Sequence, residues 1–207
     1  MIFLYHIIAL IYIAFCKPLF TTFFYRLLGA KHFRYRLSLA WSYFNPLGAA
    51  LFLVRGYGFD DFSRKFALIE KDFNKKYKFI LALLGGLFFY ALSAFLFFSL
   101  QFFIKSGGAH DLFYALFSAS ALSFALNLLP LPNLEIFTAL RRLFPKNRTL
   151  RALNDGGKIF LYTLALCSFA TLFFKNGSYY DALSIIVRAI KDFIFIPLEL
   201  LYKIGNK

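Results

Sequence analysis

The chain has 207 residues, of which 60% are hydrophobic and 22% aromatic, and its mean hydropathy is +0.65. Soluble domains hold about 45–50% apolar residues, so this composition excludes an ordinary water-soluble globule and describes a polytopic membrane protein. The net charge of +14 lies in a few loops between apolar runs, the pattern of a cytoplasmic membrane face, and no nucleic-acid partner is expected.

In chain order, the first apolar run is Ile2 to Leu28, interrupted by Lys17-Pro18. Its leader MIFLYHIIAL lacks a cationic n-region and a small-residue cleavage site, so it reads as a retained helix and not as a signal peptide. The second run, Leu37 to Val54, has Asn45-Pro46-Leu47-Gly48 at its middle, where a Pro-Gly turn is expected. The third, Phe79 to Ile104, carries no charge, and the fourth is Leu112 to Leu131. About 20 helical residues cross a bilayer core, so runs three and four span unaided. The fifth, Ile159 to Phe174, is short and borrows a turn from a flank. The class expected from these runs is all-α and polytopic, with about 4–6 membrane segments, in a single membrane domain over 1–207. Cys16 and Cys167 both fall inside apolar runs, so buried free thiols and no disulfide are expected.

The loops set the orientation. Arg26, Lys31, Arg34 and Arg36 separate runs one and two without an acid, Arg55 to Lys78 carries an excess of cations, and so does Pro132 to Lys158. The loop before run four holds only Lys105, His110 and Asp111, and Lys175 and Asp181 cancel before the last segment. The positive-inside rule puts the first, second and fourth loops in the cytoplasm and the third and fifth outside. Both flanks of run two are then cytoplasmic, so it dips in and returns at its Pro-Gly turn, surrounded by protein. The other possibility is that run two spans and the charge bias fails locally.

Two amphipathic pieces remain. Phe62, Phe66, Ile69, Phe73 and Tyr77 recur at helical spacing with Arg64, Lys65, Lys71, Lys75 and Lys76 elsewhere on the wheel, which reads as a basic helix on the inner leaflet. Near the C-terminus, Ser184, Arg188, Lys191, Asp192 and Glu199 form a narrow polar stripe on an apolar helix that either spans or lies at the interface.

Four landmarks now stand in order. NLLPLPNLE, Asn127 to Glu135, looks like the N-x-x-P-x-P-x-L-D-G of the site-2 protease family of intramembrane zinc metalloproteases, in its compact bacterial form. FNPLGAALF, Phe44 to Phe52, resembles that family's D-P-L-G segment; GYGF, Gly56 to Phe59, stands where the family has a G-x-G-W strand; LGGL, Leu84 to Leu87, stands where it has A-G-P-L. The resemblance covers roughly residues 15–145 and leaves 159–207 as C-terminal helices. It implies a small helical bundle with a re-entrant segment packed on a metal-bearing core that opens to the cytoplasm.

The family's chemistry does not carry over. A hydrolytic zinc needs three protein ligands, an open position and a carboxylate base, and the family draws two His and a Glu from H-E-x-x-H on its first helix. The corresponding window here is Lys17-Pro18-Leu19-Phe20-Thr21, with Lys17 and Thr21 at the degenerate ligand positions. The third ligand corresponds to Glu135, followed by Ile136 in place of Gly, and a His near the re-entrant turn corresponds to Tyr43. His6, His32 and His110 have no ligand spacing, and each reads as a snorkelling or solvated residue. No G-x-S-x-G is present.

Asn127, Pro130, Pro132 and Glu135 therefore read as structural remnants of a metal-site frame, with Asn45, Pro46 and Gly48 as its second part. Asn127 is expected to bond a neighbouring helix or exposed backbone. Glu135 is expected to pair with Arg141, Arg142 or Lys17, and a Lys17–Glu135 salt bridge in place of the metal is the structural expectation for the core. The functional expectation is a non-catalytic, site-2-protease-like protein of the bacterial inner membrane. It would use no cofactor, contact membrane lipids and serve as a scaffold or assembly subunit bound to other integral membrane proteins in a hetero-oligomeric complex. An intramembrane zinc metalloprotease with a remodelled site is the alternative, and a small transporter component the third possibility.

Overall fold

The computed structural model describes residues 2–29, 45–59, 76–104, 107–132, 134–171 and 181–205. Its elements are helices α1 (Ile2–Leu27), α2 (Pro46–Arg55), α3 (Lys76–Leu83), α4 (Gly85–Phe103), α5 (Gly108–Leu128), α6 (Glu135–Leu143), α7 (Arg148–Ala170) and α8 (Ala182–Gly205). No strand occurs among the described residues. Among the described residues, three stretches are long and apolar enough to cross a membrane: Phe3–Leu27, Tyr77–Phe103 and Gly108–Leu128. The second and fifth runs give the shorter apolar helices Pro46–Arg55 and Ile159–Ala170. The latter is the end of α7, which starts well upstream at Arg148 because Asn147 caps it, accepting bonds from the Thr149 and Leu150 amides at 2.9 and 3.3 Å.

The local chemistry of α2 decides the path of the chain. The Asn45 side chain accepts the Leu47 amide at 3.0 Å and Pro46 stands at the first helical position, so Asn45-Pro46 is a helix start. The expected Pro-Gly turn at this point is therefore wrong. The reversal comes at Gly56, whose left-handed φ of 77° ends α2 while its amide donates to the Phe52 carbonyl at 2.8 Å. Beyond it the chain returns against the helix it has just left. A Cβ on Gly48 would lie 2.1 Å from the Phe59 carbonyl oxygen, and one on Gly58 would lie 2.2 Å from the Gly48 carbonyl oxygen. Only glycine permits that approach.

Beside this hairpin, α4 and α5 form the most extensive helix pair, with α1 and α8 packed at their sides, and α2 packs against α1 and α7. One apolar cluster joins α1, α4, α5 and Phe195 of α8, with Ala9, Ala94, Ala119 and Ala121 at its close approaches. Small residues let membrane helices come together where no hydrophobic force drives them. A second cluster joins Leu51, Tyr57 and Phe59 to Leu126, Leu161, Leu183 and Val187. A third sets α3 against α6 through Phe79, Ala82 and Ala139, and the Arg142 guanidinium lies 5.2 Å from the Phe79 ring centroid. Large apolar side chains such as Phe88, Phe95 and Phe193 face outward, while Lys17, Gln101, Asn127, Glu135 and Asp181 are buried. That inversion suits a lipid solvent, in which outward apolar groups cost nothing and polar groups need protein partners.

Candidate functional site

Lys17, in the middle of α1, and Glu135, at the first position of α6, meet in the interior. Lys17 Nζ lies 2.9 Å from Glu135 Oε1, and the two side chains are 3% and 1% exposed. Nζ also donates to the Tyr90 hydroxyl at 3.1 Å and stands 4.4 Å from the Tyr90 ring centroid. The carboxylate sits in the first turn of α6, where the positive end of the helix favours it. Gly86 makes room for it, because a Cβ there would fall 2.0 Å from Oε1. The expected Lys17–Glu135 salt bridge is present, and Glu135 reaches α1 in preference to Arg141, which bonds the Asn154 side chain at 2.8 Å.

The other residues singled out in the sequence fall as follows. Thr21 is buried, and its hydroxyl donates to the Pro18 carbonyl at 3.2 Å inside a helix that continues through the proline. Asn127 is also buried, but its amide donates to the Ser123 carbonyl of its own helix at 2.8 Å. Of the expected partners, a neighbouring helix or backbone, it takes backbone, the carbonyl one turn back in its own helix. Pro130 is exposed and Pro132 buried where the chain leaves α5 for α6. Asn45 fixes α2 twice, by its cap and by an amide donated to the Tyr162 hydroxyl of α7 at 2.7 Å. Phe62, Phe66, Lys71 and Lys75 lie outside the described residues, as does Tyr43; Lys76 begins α3. His6 has a protein partner: its Nδ1 lies 3.0 Å from the Leu53 carbonyl, and its ring lies beside Gly56. His110 is also held, with Nε2 3.2 Å from Gln101 Nε2. The two cysteines are free thiols, Cys16 half-buried and Cys167 exposed, so burial is wrong for Cys167, which faces outward from α7.

A second buried polar cluster escaped the sequence reading. Arg55, at the end of α2, lies 3.0 Å from Asp181 Oδ2 and donates to the Ser168 carbonyl at 3.0 Å and the Thr171 hydroxyl at 2.6 Å. Asp181 also accepts the Ser168 hydroxyl at 2.7 Å, and from Ser184 the amide at 3.0 Å and the hydroxyl at 2.6 Å. The Tyr57 hydroxyl bonds Ser184. Arg55 had been read as a loop cation and Asp181 as half of a cancelling pair with Lys175. The available signal was Asp181 placed three residues before Ser184 at the start of an apolar helix, an N-cap arrangement.

The donor set does not suit a zinc ion. A closed ligand set needs three or four His, Cys or carboxylate groups, and among the described residues no group of three such side chains converges. Glu135 offers one carboxylate, and the ammonium of Lys17 already stands against it. No family model, curated protein or solved structure matches this chain.

Proposed function

We propose that the chain is a non-catalytic, site-2-protease-like protein of the bacterial inner membrane, a scaffold or assembly subunit for other integral membrane proteins. The observation that carries the reading is the Lys17–Glu135 ion pair. It joins the two positions that correspond to metal ligands in the resembled family, at 2.9 Å and almost without exposure. An ammonium at that distance balances the charge of the carboxylate and repels a divalent cation, while Glu135 Oε2 has no hydrogen-bond partner among the described residues.

The remaining landmarks support the same reading. Gly86 of LGGL gives way to Glu135 of NLLPLPNLE, and Gly48 of FNPLGAALF opposes Gly58 and Phe59 of GYGF. On this reading α2 and the return from Gly56 are the re-entrant segment, packed against α1 and α7. With no metal-ligating group of three among the described residues, what remains to the frame is to hold helices together and bind others.

Extraction in mild detergent followed by mass spectrometry of the intact assembly tests this. The reading requires a stoichiometric integral membrane partner. A monodisperse single chain that cleaves a membrane-spanning peptide would overturn it.

A further inference from the structure

A cavity of about 640 Å³ opens between the start of α1, the end of α2, the first turns of α5 and the middle of α8. It lies away from the Lys17–Glu135 pair and sets the first turns of α5, which follow the loop that charge bias puts outside, beside Arg55, which the same bias assigns to a cytoplasmic loop. Its size falls within the range of about 300–1,000 Å³ common for ligand sites. One wall is α5, where Asp111 and Tyr114 lead down to small apolar positions; another is α8, where the polar stripe supplies Arg188, Lys191 and Asp192.

Most of the charge at this cavity is already matched. Arg55 pairs with Asp181, and Lys191 lies 3.0 Å from Asp192. Arg188 is exposed and makes no hydrogen bond or ion pair with another described residue. Asp111, 64% exposed, has among the described residues only the His110 ring, at 3.5 Å. The cavity thus offers one guanidinium and one carboxylate open among the described residues, on different helices, beside the apolar positions Val54, Ala115, Ala119 and Leu122. A guanidinium matches phosphate by two parallel N–H donors. A purely anionic headgroup would meet Arg188 but bring its charge toward Asp111 and Asp192, whereas a zwitterion satisfies both.

We infer that this cavity binds a zwitterionic phospholipid headgroup of the phosphoethanolamine kind, its phosphate ester held by Arg188 and its ammonium by Asp111. Tyr114, exposed on α5 one turn beyond Asp111, is an amphipathic ring of the kind that meets headgroups, and the apolar positions between the helices receive the glycerol end and the first part of the acyl chains.

Thermal unfolding of the delipidated protein in mild detergent tests the site. Phosphatidylethanolamine, phosphatidylglycerol, soluble O-phosphoethanolamine and inorganic phosphate are each added at matched concentration. Phosphatidylethanolamine should raise Tm more than phosphatidylglycerol, and the two soluble compounds should leave it unchanged. Arg188→Gln should abolish the phosphatidylethanolamine shift, and Asp111→Asn should make the two lipids equivalent. Both positions are exposed, so lipid-free Tm should stay at the wild-type value and report folding separately. Equal shifts from the two lipids on the unmodified protein, or a full shift in Arg188→Gln, would overturn the proposal. A shift from soluble phosphoethanolamine equal to that from the lipid would overturn the lipid assignment.

Discussion

Gly86 of α4 and Glu135 of α6 meet so closely that a methyl group on the glycine would stand 2.0 Å from the carboxylate oxygen. The absence of a side chain on one helix thus fixes where a charge from another is buried. Gly86→Ala should displace the Glu135 carboxylate from Lys17 at a cost of about 1–3 kcal/mol, the usual scale of overpacking. Gly85→Ala makes a useful contrast, since its Cβ would meet the edge of the movable Phe24 ring at 2.9 Å. Denaturation in detergent should rank Gly86→Ala as the more damaging; the reverse order would mean that Glu135 tolerates displacement.

Removing one partner of a buried ion pair leaves an uncompensated charge and costs about 3–5 kcal/mol. Glu135→Gln and Lys17→Met should each fall on that scale, and the double variant should be less damaged than their sum. Lys17 keeps the Tyr90 hydroxyl at 3.1 Å, so Glu135→Gln should be the milder single change. Additive losses would show that the two charges do not support one another.

The Arg55–Asp181 cluster ties the end of α2 to α7 and α8. Asp181→Ala should cost about 3–5 kcal/mol by stranding Arg55, and Ser168→Ala about 1.5–3 kcal/mol through one bond to a charged acceptor. Limited proteolysis should find cleavage after Arg55 in the Asp181 variant and protection in the parent. If the Asp181 variant unfolds and resists protease like the parent, the cluster does not anchor the hairpin.

How much of this was legible beforehand depended on whether local sequence carried the determinant. The membrane-length stretches were legible because apolar runs state them directly. Lys17–Glu135 was legible because an ionisable residue inside an apolar run needs a partner, and these two stand in separate apolar stretches with opposite charge. The reversal was misplaced: Pro46 and Gly48 were read as a turn, but proline also opens helices and Gly48 is demanded by a carbonyl from Phe59, distant in sequence. The Arg55 cluster was missed for a related reason. Charge counting treats loop residues as interchangeable, and no local rule says that Arg55 crosses to Asp181 when Lys175 is nearer in the chain.

Orientation is open to labelling in intact cells. A cysteine at His110, in a background lacking Cys16 and Cys167, should react with a membrane-impermeant thiol reagent, and one at the exposed Lys146 should not. Cysteines at Arg36 and Asn74, outside the described residues, bracket the α2 hairpin and should both be protected. Opposite reactivities at those two positions would mean that the second run spans.

The most direct test of a salt bridge in place of a metal is the zinc content of the purified protein. Extraction without chelator, followed by elemental analysis against protein concentration, should give far less than one zinc per chain. Glu135→Gln should leave that value unchanged. The physical ground is that a single carboxylate occupied by an ammonium cannot hold zinc against water, and nearby Lys17 raises the cost further. About one zinc per chain, lost in Glu135→Gln, would contradict the account.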